Sequence, residues 1–459
     1  MDFTTPPSPD PRKNSLKQRL LRAARWTLLG HFAAQLLRFG SNLVLTRLLA
    51  PDLFGVMSVG YMVFTGLGMV SDLGLAAIVS RSRRGAEPLF LNVVWLTQIG
   101  RGILITLAAL ALSASLILIN AGTFFPAHSV YGDPRLPGLL ALVSLYGIAS
   151  GLESSKSLLA RRNLALATLT KIDLATQIAT TAFILTWAWF DPSIWALGVG
   201  WVFGVAFRSA LTHWALPGPP NRVAWDSTAF KEIIDFGKWA LVSSPISFLL
   251  TSGDRLLLAV ILDATTMGFY AIATLLVTAL QAVVLKITGQ AVQAALGEVV
   301  RGRPEDLKKT LYRVRLPLDM ACGFSAGLLF ILGDWLVGLL YDDRYQQAGW
   351  MLSILALTLA MTQYNVFDQC LIALGRIKLL SALNLVRLFA VYGSIPLFFL
   401  HWGVMGAVAA VPFSGFVNTI ILLGLQGRLG LLDIKKEFRT IPLFGVGALA
   451  GSACLLLVH

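Results

Sequence analysis

Charged side chains lie inside long apolar segments of this sequence. Arg38, Arg101 and Arg255 each fall well within such a segment. A charge in the interior of a membrane costs about 3 kcal/mol or more unless it is paired or hydrated, so these residues are candidates for a functional site. Because a guanidinium group binds phosphate oxygens through two parallel hydrogen bonds, the three arginines predict a cavity for a phosphate or pyrophosphate group.

Polar residues recur on the same helix faces as these arginines. Asn42 stands four positions after Arg38, and Thr251 stands four positions before Arg255. Residues at this spacing share a helix face. The predicted lining of the cavity therefore adds five residues to the arginines: Gln35, Asn42, Tyr61, Thr251 and Gln281. The alternative is a packed bundle in which the polar side chains hydrogen-bond between helices.

Two acidic residues in apolar segments, Asp72 and Asp254, are candidates for a proton or sodium site. The alternative is that the intramembrane charges form structural ion pairs. The pairs that sequence proximity and charge suggest are Asp254 with Arg255 or a neighbour, Lys171 with Asp173, and Arg387 with Asp368. The three cysteines, Cys322, Cys370 and Cys454, lie in apolar segments without metal-ligand spacing, and the sequence predicts no metal and no cofactor.

The composition is that of a membrane protein. Hydrophobic residues make up 56% of the 459 residues and charged residues only 13%, with a mean hydropathy of +0.72. A soluble chain of average composition has about 25% charged residues. Several apolar stretches exceed the roughly 18 residues that cross a bilayer as a helix.

Twelve helices and a shorter thirteenth account for these stretches. Helix-breaking Pro and Gly clusters separate them. The predicted segments are 26–48, 55–80, 90–119, 137–159, 164–189, 194–216, 238–262, 267–295, 316–340, 347–374, 379–401, 404–426 and 441–458.

Basic residues fall in alternate connections between these helices. If the N-terminus is inside, the inside connections contain most of the Lys and Arg, including Arg208 and Arg315, whereas the outside loops contain only Arg135 and Arg344. This asymmetry predicts a cytoplasmic N-terminus. The net charge of +13 is therefore interpreted as a topology signal and not as a surface for nucleic acid.

The two halves of the chain contain related segments. A shift of 213 positions carries Gly40 onto Gly253 and Gly55 onto Gly268, and each segment reads as helix, tight turn and helix. The second copy follows the Pro-rich connection at 217–237. Six helices in each half predict an all-α polytopic membrane protein with two six-helix lobes around a central cavity.

The predicted organisation has five parts. They are a cytoplasmic basic tail at 1–25, an N-terminal lobe at 26–216, a cytoplasmic linker at 217–237, a C-terminal lobe at 238–427, and a basic loop with an apolar segment at 428–459.

Two hairpins carry a resemblance to a known family. Residues 43–55, LVLTRLLAPDLFG, and 70–75, VSDLGL, resemble the first hairpin of bacterial polysaccharide exporters, the oligosaccharide flippases of the Wzx type. Residues 254–258, DRLLL, and 268–270, GFY, resemble the matching hairpin of their second half. These proteins belong to the multidrug/oligosaccharidyl-lipid/polysaccharide superfamily. Within the superfamily, ion-coupled multidrug exporters and lipid II flippases are the alternatives.

The resemblance implies a flippase of the bacterial inner membrane and not an enzyme. Its cargo would be an undecaprenyl-diphosphate-linked oligosaccharide, a precursor of surface polysaccharide, moved from the cytoplasmic to the periplasmic leaflet by alternating access. Membrane lipids, a polysaccharide polymerase and a co-polymerase are the other implied partners. The thirteenth segment departs from the twelve-helix pattern, since it either places the C-terminus outside or lies in the membrane interface. The sequence also lacks the G-x-x-x-x-G-K-[ST] loop of a transport ATPase.

Overall fold

The computed structural model describes residues 16–121, 125–126 and 128–458. Side chains are not described at 16–29, 31, 239–240, 242–243, 287, 290–291 and 458. Most of the predicted basic tail at 1–25 lies outside the described residues. Within the described part the chain is helical and contains no strand, which confirms the all-α prediction.

Helices follow one another along the whole described chain. They are α1 Leu16–Leu48, α2 Pro51–Val70, α3 Leu75–Arg81, α4 Pro88–Ala121, α5 Arg135–Val143, α6 Leu145–Gly151, α7 Lys156–Arg162, α8 Leu166–Phe190, α9 Ile194–Ala215, α10 Ser227–Ile261, α11 Ala264–Ile287, α12 Gln293–Gly302, α13 Leu307–Leu340, α14 Ala348–Ala356, α15 Leu359–Thr362, α16 Asn365–Ala373, α17 Ile377–Arg428, α18 Ile434–Glu437 and α19 Thr440–Val458. Short 3-10 turns occur at Val130–Gly132, Pro304–Asp306 and Asp343–Tyr345, and a π-helical turn at Thr288–Val292.

Nine helical segments of the described chain are long and apolar enough to cross a membrane, or ten if the bent pair α5–α6 and α7 is one span. This pair, with a bend of 59°, covers the predicted segment 137–159. The predicted helices at 379–401 and 404–426 join as α17, which bends at Gly403, where φ is 58° and ψ is −143°. Glycine tolerates this left-handed φ because it has no Cβ. The chain is thus an integral membrane protein with all-helical spans.

The residues group into two compact units. Unit 1 contains the described residues up to Leu45, Leu67–Leu112 and Leu140–Ser244, and unit 2 contains Thr46–Gly66, Ser113–Leu139 and the described residues from Pro245 onward. Residues 46–66 and 113–139 of the predicted N-terminal lobe therefore pack within unit 2. The linker also differs from prediction, since α10 already begins at Ser227.

A reciprocal glycine contact joins α2 to α11 within unit 2. A Cβ added to Gly55 would lie 1.9 Å from the carbonyl oxygen of Ala264, and one added to Gly268 would lie 1.9 Å from that of Pro51. Only glycine permits so close a backbone approach. The shift of 213 positions carries Pro51 onto Ala264 and Gly55 onto Gly268, so the contact has the symmetry of the proposed repeat.

The thirteenth predicted segment is a helix packed along α13. A Cβ at Gly327 would lie 2.0 Å from the carbonyl oxygen of Phe444, and one at Gly447 would lie 2.1 Å from that of Phe324. The continuous stretch Ile434–Leu457 is long and apolar enough to span a membrane. Small residues at such crossings let membrane helices approach closely. This packing favours a spanning segment over one that lies in the interface.

A buried ionic network ties α13 to α18 in unit 2. The sequence pattern groups Arg315 with the loop cations, but the structure places it within α13 at 1% exposure. Its terminal nitrogens donate to the two oxygens of Glu437 at 2.9 and 2.7 Å, and its Nε donates to Asp319 at 2.8 Å. Tyr312 and Tyr364 donate their hydroxyls to Glu437 at 2.6 and 3.2 Å. The loop interpretation fails because α13 begins at Leu307, nine residues before the predicted start.

Candidate functional site

A polar pocket of about 320 Å³ lies in unit 1. It contains two of the predicted site residues, Asp72 and Arg101. Further polar side chains line it and were not predicted: Gln98, Tyr146, Ser150, Glu153, Ser157, Arg161 and Arg208.

Arg101 is fixed at the C-terminal end of α2. Its side chain donates to the carbonyl oxygen of Gly68 at 2.5 Å and to the hydroxyl of Ser71 at 3.0 Å. The last carbonyls of a helix lack partners within the helix and carry partial negative charge, so a cation is favoured there. The position of Arg101 is therefore explained in part by helix capping.

Asp72 shapes the turn that follows α2. Its Oδ1 accepts from the backbone N–H of Gly74 at 3.0 Å. Gly74 has φ 64° and precedes α3, so the carboxylate holds a left-handed turn between the two helices. This local role does not require an ion.

Arg208 is the paired cation of this pocket. It makes an ion pair with Glu153 and a second one with Asp173 at 3.1 Å. Sequence proximity suggests Lys171 as a partner of Asp173, and the structure shows that Arg208 pairs with this carboxylate. The charge pattern counts Arg208 among the inside cations although the predicted segment 194–216 contains it, and the structure places it within α9. The sequence signal that could have marked Arg208 as a pocket residue is its position within a 22-residue apolar helix.

The predicted polar face of α1 is open in unit 1. Arg38 is exposed, while Gln35 and Asn42 are half-buried. Within the described chain, no carboxylate lies within 4.0 Å of the Arg38 guanidinium. A Cβ added to Gly40, two residues away, would meet nothing within 4 Å. This face is thus accessible and carries a cation without an internal counterion.

The corresponding face of α10 belongs to unit 2. The carboxylate of Asp254 accepts a hydrogen bond from the hydroxyl of Tyr270 at 2.5 Å, so the expected pair with Arg255 is replaced by this contact. Arg255 is half-buried, and among the described residues no ion pair to it is found. Thr251 is exposed one turn before it.

The last two predicted residues of unit 2 have different environments. Tyr61 is 51% exposed on α2. Gln281 on α11 is half-buried and donates to the hydroxyls of Thr358 and Thr362 at 3.1 and 3.3 Å. Its amide thus joins α11 to the α14–α15 segment, which is the packing role that polar residues have between membrane helices.

A second polar pocket, of about 390 Å³, lies in unit 2 and includes Thr251. Its lining comes from α10 and both parts of α17: Ser247, Leu250, Thr251, Asn384, Arg387, Val391, Ser414, Gly415 and Asn418. Arg387 donates to both oxygens of Asp368 at 3.2 and 3.0 Å, which confirms the structural ion pair suggested for these residues. Asn384 and Asn418 were not predicted, and their signal is an amide within an apolar helix.

Outside the spans, an ion pair joins the loop before α4 to the start of α10 in unit 1. Arg84 contacts Asp226 at 2.7 Å and Glu87 at 3.0 Å. Asp226 also accepts from the hydroxyl and the N–H of Thr228 at 2.6 and 2.9 Å. The Thr228 hydroxyl and then the Arg84 guanidinium lower the pKa of Asp226 to about 2, because both stabilise the carboxylate.

Comparison with known families assigns the chain. The family model described as "Polysaccharide biosynthesis protein" matches residues 44–349, which is more than half of the sequence. The chain belongs to this family. The match includes both hairpins that carry the resemblance to Wzx-type exporters, so that prediction is confirmed.

One sequence relative and two solved structures are similar to this chain. The chain is similar to the lipopolysaccharide biosynthesis protein WzxC of Escherichia coli strain K12, with 22% identity over 89% of this chain and 80% of that protein. Its fold is similar to the inward closed conformation of the lipid II flippase MurJ, with a TM-score of 0.67, 12% identity and coverage of 94% and 99%. It is also similar to an inward-facing multidrug resistance MATE family transporter of the MOP superfamily, with a TM-score of 0.65, 13% identity and coverage of 87% and 94%.

Proposed function

We propose that this protein is a flippase of the bacterial inner membrane. It moves a polyprenyl-diphosphate-linked oligosaccharide from the cytoplasmic to the periplasmic leaflet by alternating access. Its N-terminus is cytoplasmic, and its cargo is a precursor of surface polysaccharide. A polysaccharide polymerase and a co-polymerase receive this cargo on the periplasmic side.

The proposal is carried by two separate arginines, Arg38 in unit 1 and Arg255 in unit 2. Arg255 lies in the apolar stretch Ser244–Ile261 of α10, and Arg38 lies in the predicted segment 26–48. Neither has an ion-pair partner in the described chain, in contrast to the paired Arg208, Arg315 and Arg387. An unpaired cation in a membrane protein is costly, so a ligand that supplies the counter-charge would stabilise it. A diphosphate group provides two adjacent anionic centres that match guanidinium geometry.

Two substitutions test the phosphate role directly. We expect Arg38→Ala and Arg255→Ala each to reduce surface polysaccharide at least about tenfold in a host that lacks the native gene, because each removes a charge-assisted contact worth ~1.5–3 kcal/mol. Membrane levels of both variants, measured by immunoblot, should stay normal.

Arg47→Ala is the matched control, since Arg47 is also exposed on α1 but lies on the opposite face from Arg38. This variant should export normally. Normal export by both the Arg38 and Arg255 variants would contradict a phosphate site. A gain of drug resistance without any polysaccharide phenotype would instead identify a multidrug exporter.

The proposed orientation has its own test. Single cysteines at Ala264 and Gly302 should react with a membrane-impermeant maleimide from opposite sides of the membrane. One proposed span, formed by α11 and its continuation into α12, separates the two positions. Labelling from the same side would overturn the proposed topology.

Asp72 and Asp254 remain candidates for ion coupling. Each already accepts a hydrogen bond, from the Gly74 N–H or from the Tyr270 hydroxyl, and protonation would weaken that bond by removing the negative charge of the acceptor. Asp254→Asn, which keeps an acceptor for Tyr270 but removes the charge, should abolish dependence of transport on the proton or sodium gradient if Asp254 is the coupling residue. Unchanged dependence in Asp72→Asn and Asp254→Asn would exclude both.

A further inference from the structure

The polar pocket of unit 2 contains a buried amide without a partner. Asn418 is 7% exposed, lines the pocket, and its Oδ1 has no hydrogen-bond partner among the described residues. An unsatisfied buried polar group costs ~1–3 kcal/mol, and native structures contain few of them. The pocket is therefore built as though a ligand completes it.

The pocket presents uncharged hydrogen-bonding groups. The guanidinium of Arg387 is neutralised by Asp368 and also donates to the Oδ1 of Asn384 at 3.3 Å. Thr251, exposed on α10, also lines the pocket; its hydroxyl donates to the carbonyl oxygen of Ser247 at 2.9 Å and can still accept a hydrogen bond. No acidic side chain is among the residues that line it.

The side chains that line this pocket are poorly suited to bind a metal cation or a simple anion. A metal cation prefers carboxylate ligands, and here it would meet a guanidinium instead. A simple anion would compete with Asp368 for Arg387 and would leave the acceptor of Asn418 unpaired. A hydroxyl group fits either orientation of the Asn418 amide, because it both donates and accepts.

We propose that this pocket binds a sugar of the cargo and contributes to the choice of glycan. The inference rests on the proposed flippase function and extends it, since Arg38 and Arg255 are each candidates for the diphosphate of the cargo, whereas this pocket offers hydrogen-bond partners for sugar hydroxyl groups. Neighbouring hydroxyls of one ring would bond to the amides of Asn384 and Asn418 and to the Thr251 hydroxyl. The pocket volume of about 390 Å³ is in the range of small-ligand sites.

Binding of two lipids to the purified full-length protein in nanodiscs tests this inference. The probes are undecaprenyl diphosphate and the undecaprenyl-diphosphate-linked oligosaccharide that accumulates in the native host when this gene is deleted. We expect the wild-type protein to bind the glycosylated lipid about tenfold tighter or more, since a buried polar group becomes paired. Asn418→Leu should bind both lipids equally, with wild-type affinity for the bare diphosphate.

Gln426→Leu is the matched control. Gln426 is 0% exposed, also has unpartnered amide atoms, and lies two turns further along α17 but outside the pocket lining. It should retain the preference for the glycosylated lipid. Thr251→Val provides a second variant on a different helix, in which the preference should fall.

The outcomes separate the two proposals. If Asn418→Leu and Thr251→Val fold, as judged by monodisperse elution, and keep the full preference, the sugar pocket is wrong. Equal binding of both lipids by the wild type also overturns it, while the flippase function stands. Binding of neither lipid by the wild type contradicts the flippase function itself.

Discussion

Arg315 and Arg38 are the same residue type in opposite environments. Arg315, at 1% exposure in unit 2, bonds to two carboxylates, and two tyrosines complete the shell around Glu437. Arg38, exposed on α1 in unit 1, has no carboxylate within 4.0 Å in the described chain, and the neighbouring Gly40 is open. A buried cation whose pairing is complete stabilises the fold, whereas the open and unpaired Arg38 is what the proposed phosphate site depends on.

Among the substitutions considered, the largest loss of stability is expected in the buried ionic network around Arg315. Arg315→Ala leaves Glu437 and Asp319 buried without their counter-charge, and breaking such a pair costs ~3–5 kcal/mol. We therefore expect little folded protein in the membrane, measured by size-exclusion chromatography of a fluorescent fusion.

An apolar replacement of the whole ionic network sharpens this expectation. Arg315→Met combined with Asp319→Leu and Glu437→Leu removes the charges together, and such exchanges are often neutral. Recovery of folded protein in the triple variant would assign the loss to unpaired charge. Equal loss in both would mean that the shape of the network, and not its charge balance, stabilises unit 2.

The next effect concerns backbone packing at Gly55. Gly55→Ala places a Cβ 1.9 Å from the carbonyl oxygen of Ala264, so α2 and α11 must separate. We expect a loss of ~1–3 kcal/mol, as for other overpacked sites, seen as a lower melting temperature of the purified protein.

Gly40→Ala is the matched substitution on the open face. Nothing lies within 4 Å of its added Cβ, and alanine is the better helix former by ~1 kcal/mol. The melting temperature should stay the same or rise. A fall in melting temperature as large as that of Gly55→Ala would show that the α1 face is packed. It would contradict the contrast between the buried Arg315 and the open Arg38.

The sequence predicted the helices well because composition and breakers determine them. Apolar runs separated by Pro and Gly predict the helices from the sequence alone. The repeat aligned Gly55 with Gly268, but that the two glycines meet in one contact is seen only in the structure. The ion-pair partners of the charged residues were harder to predict from the sequence. Arg315 and Glu437 are far apart in sequence, and a basic residue near a helix start looks the same whether it faces water or a buried carboxylate.

The candidate site shows the same limit. Types and spacing select Arg38, Thr251 and Arg255 as candidates, since a polar face is a local property of one helix. Asn384 and Asn418 come from two parts of α17, and only folding brings them to one pocket with Thr251. That the Asn418 amide lacks a partner is a property of packing, which a single sequence does not encode locally.

A conservative change at Arg38 should have a smaller effect than its removal. Arg38→Lys keeps the positive charge but loses the two parallel donors that match a phosphate. We expect export between that of the wild type and that of Arg38→Ala, quantified as surface polysaccharide per cell. If lysine restores export fully, the open face supplies only charge, and bidentate recognition of the diphosphate is wrong.

The smallest effect is expected where a pair is complete but exposed, as for Arg84 and Asp226. The pKa of Asp226 is lowered to about 2, so the folded state holds a carboxylate that the unfolded chain protonates near its ordinary pKa of about 3.9. The contribution to stability is thus present above about pH 4 and is lost as the pH falls towards 2. The difference in melting temperature between wild type and Asp226→Asn should be small and constant from pH 8 to about pH 4, and should shrink below it. A difference that changes between pH 8 and pH 5 would mean that another group controls this contact, because exposed pairs contribute little and Asp226 does not titrate in that range.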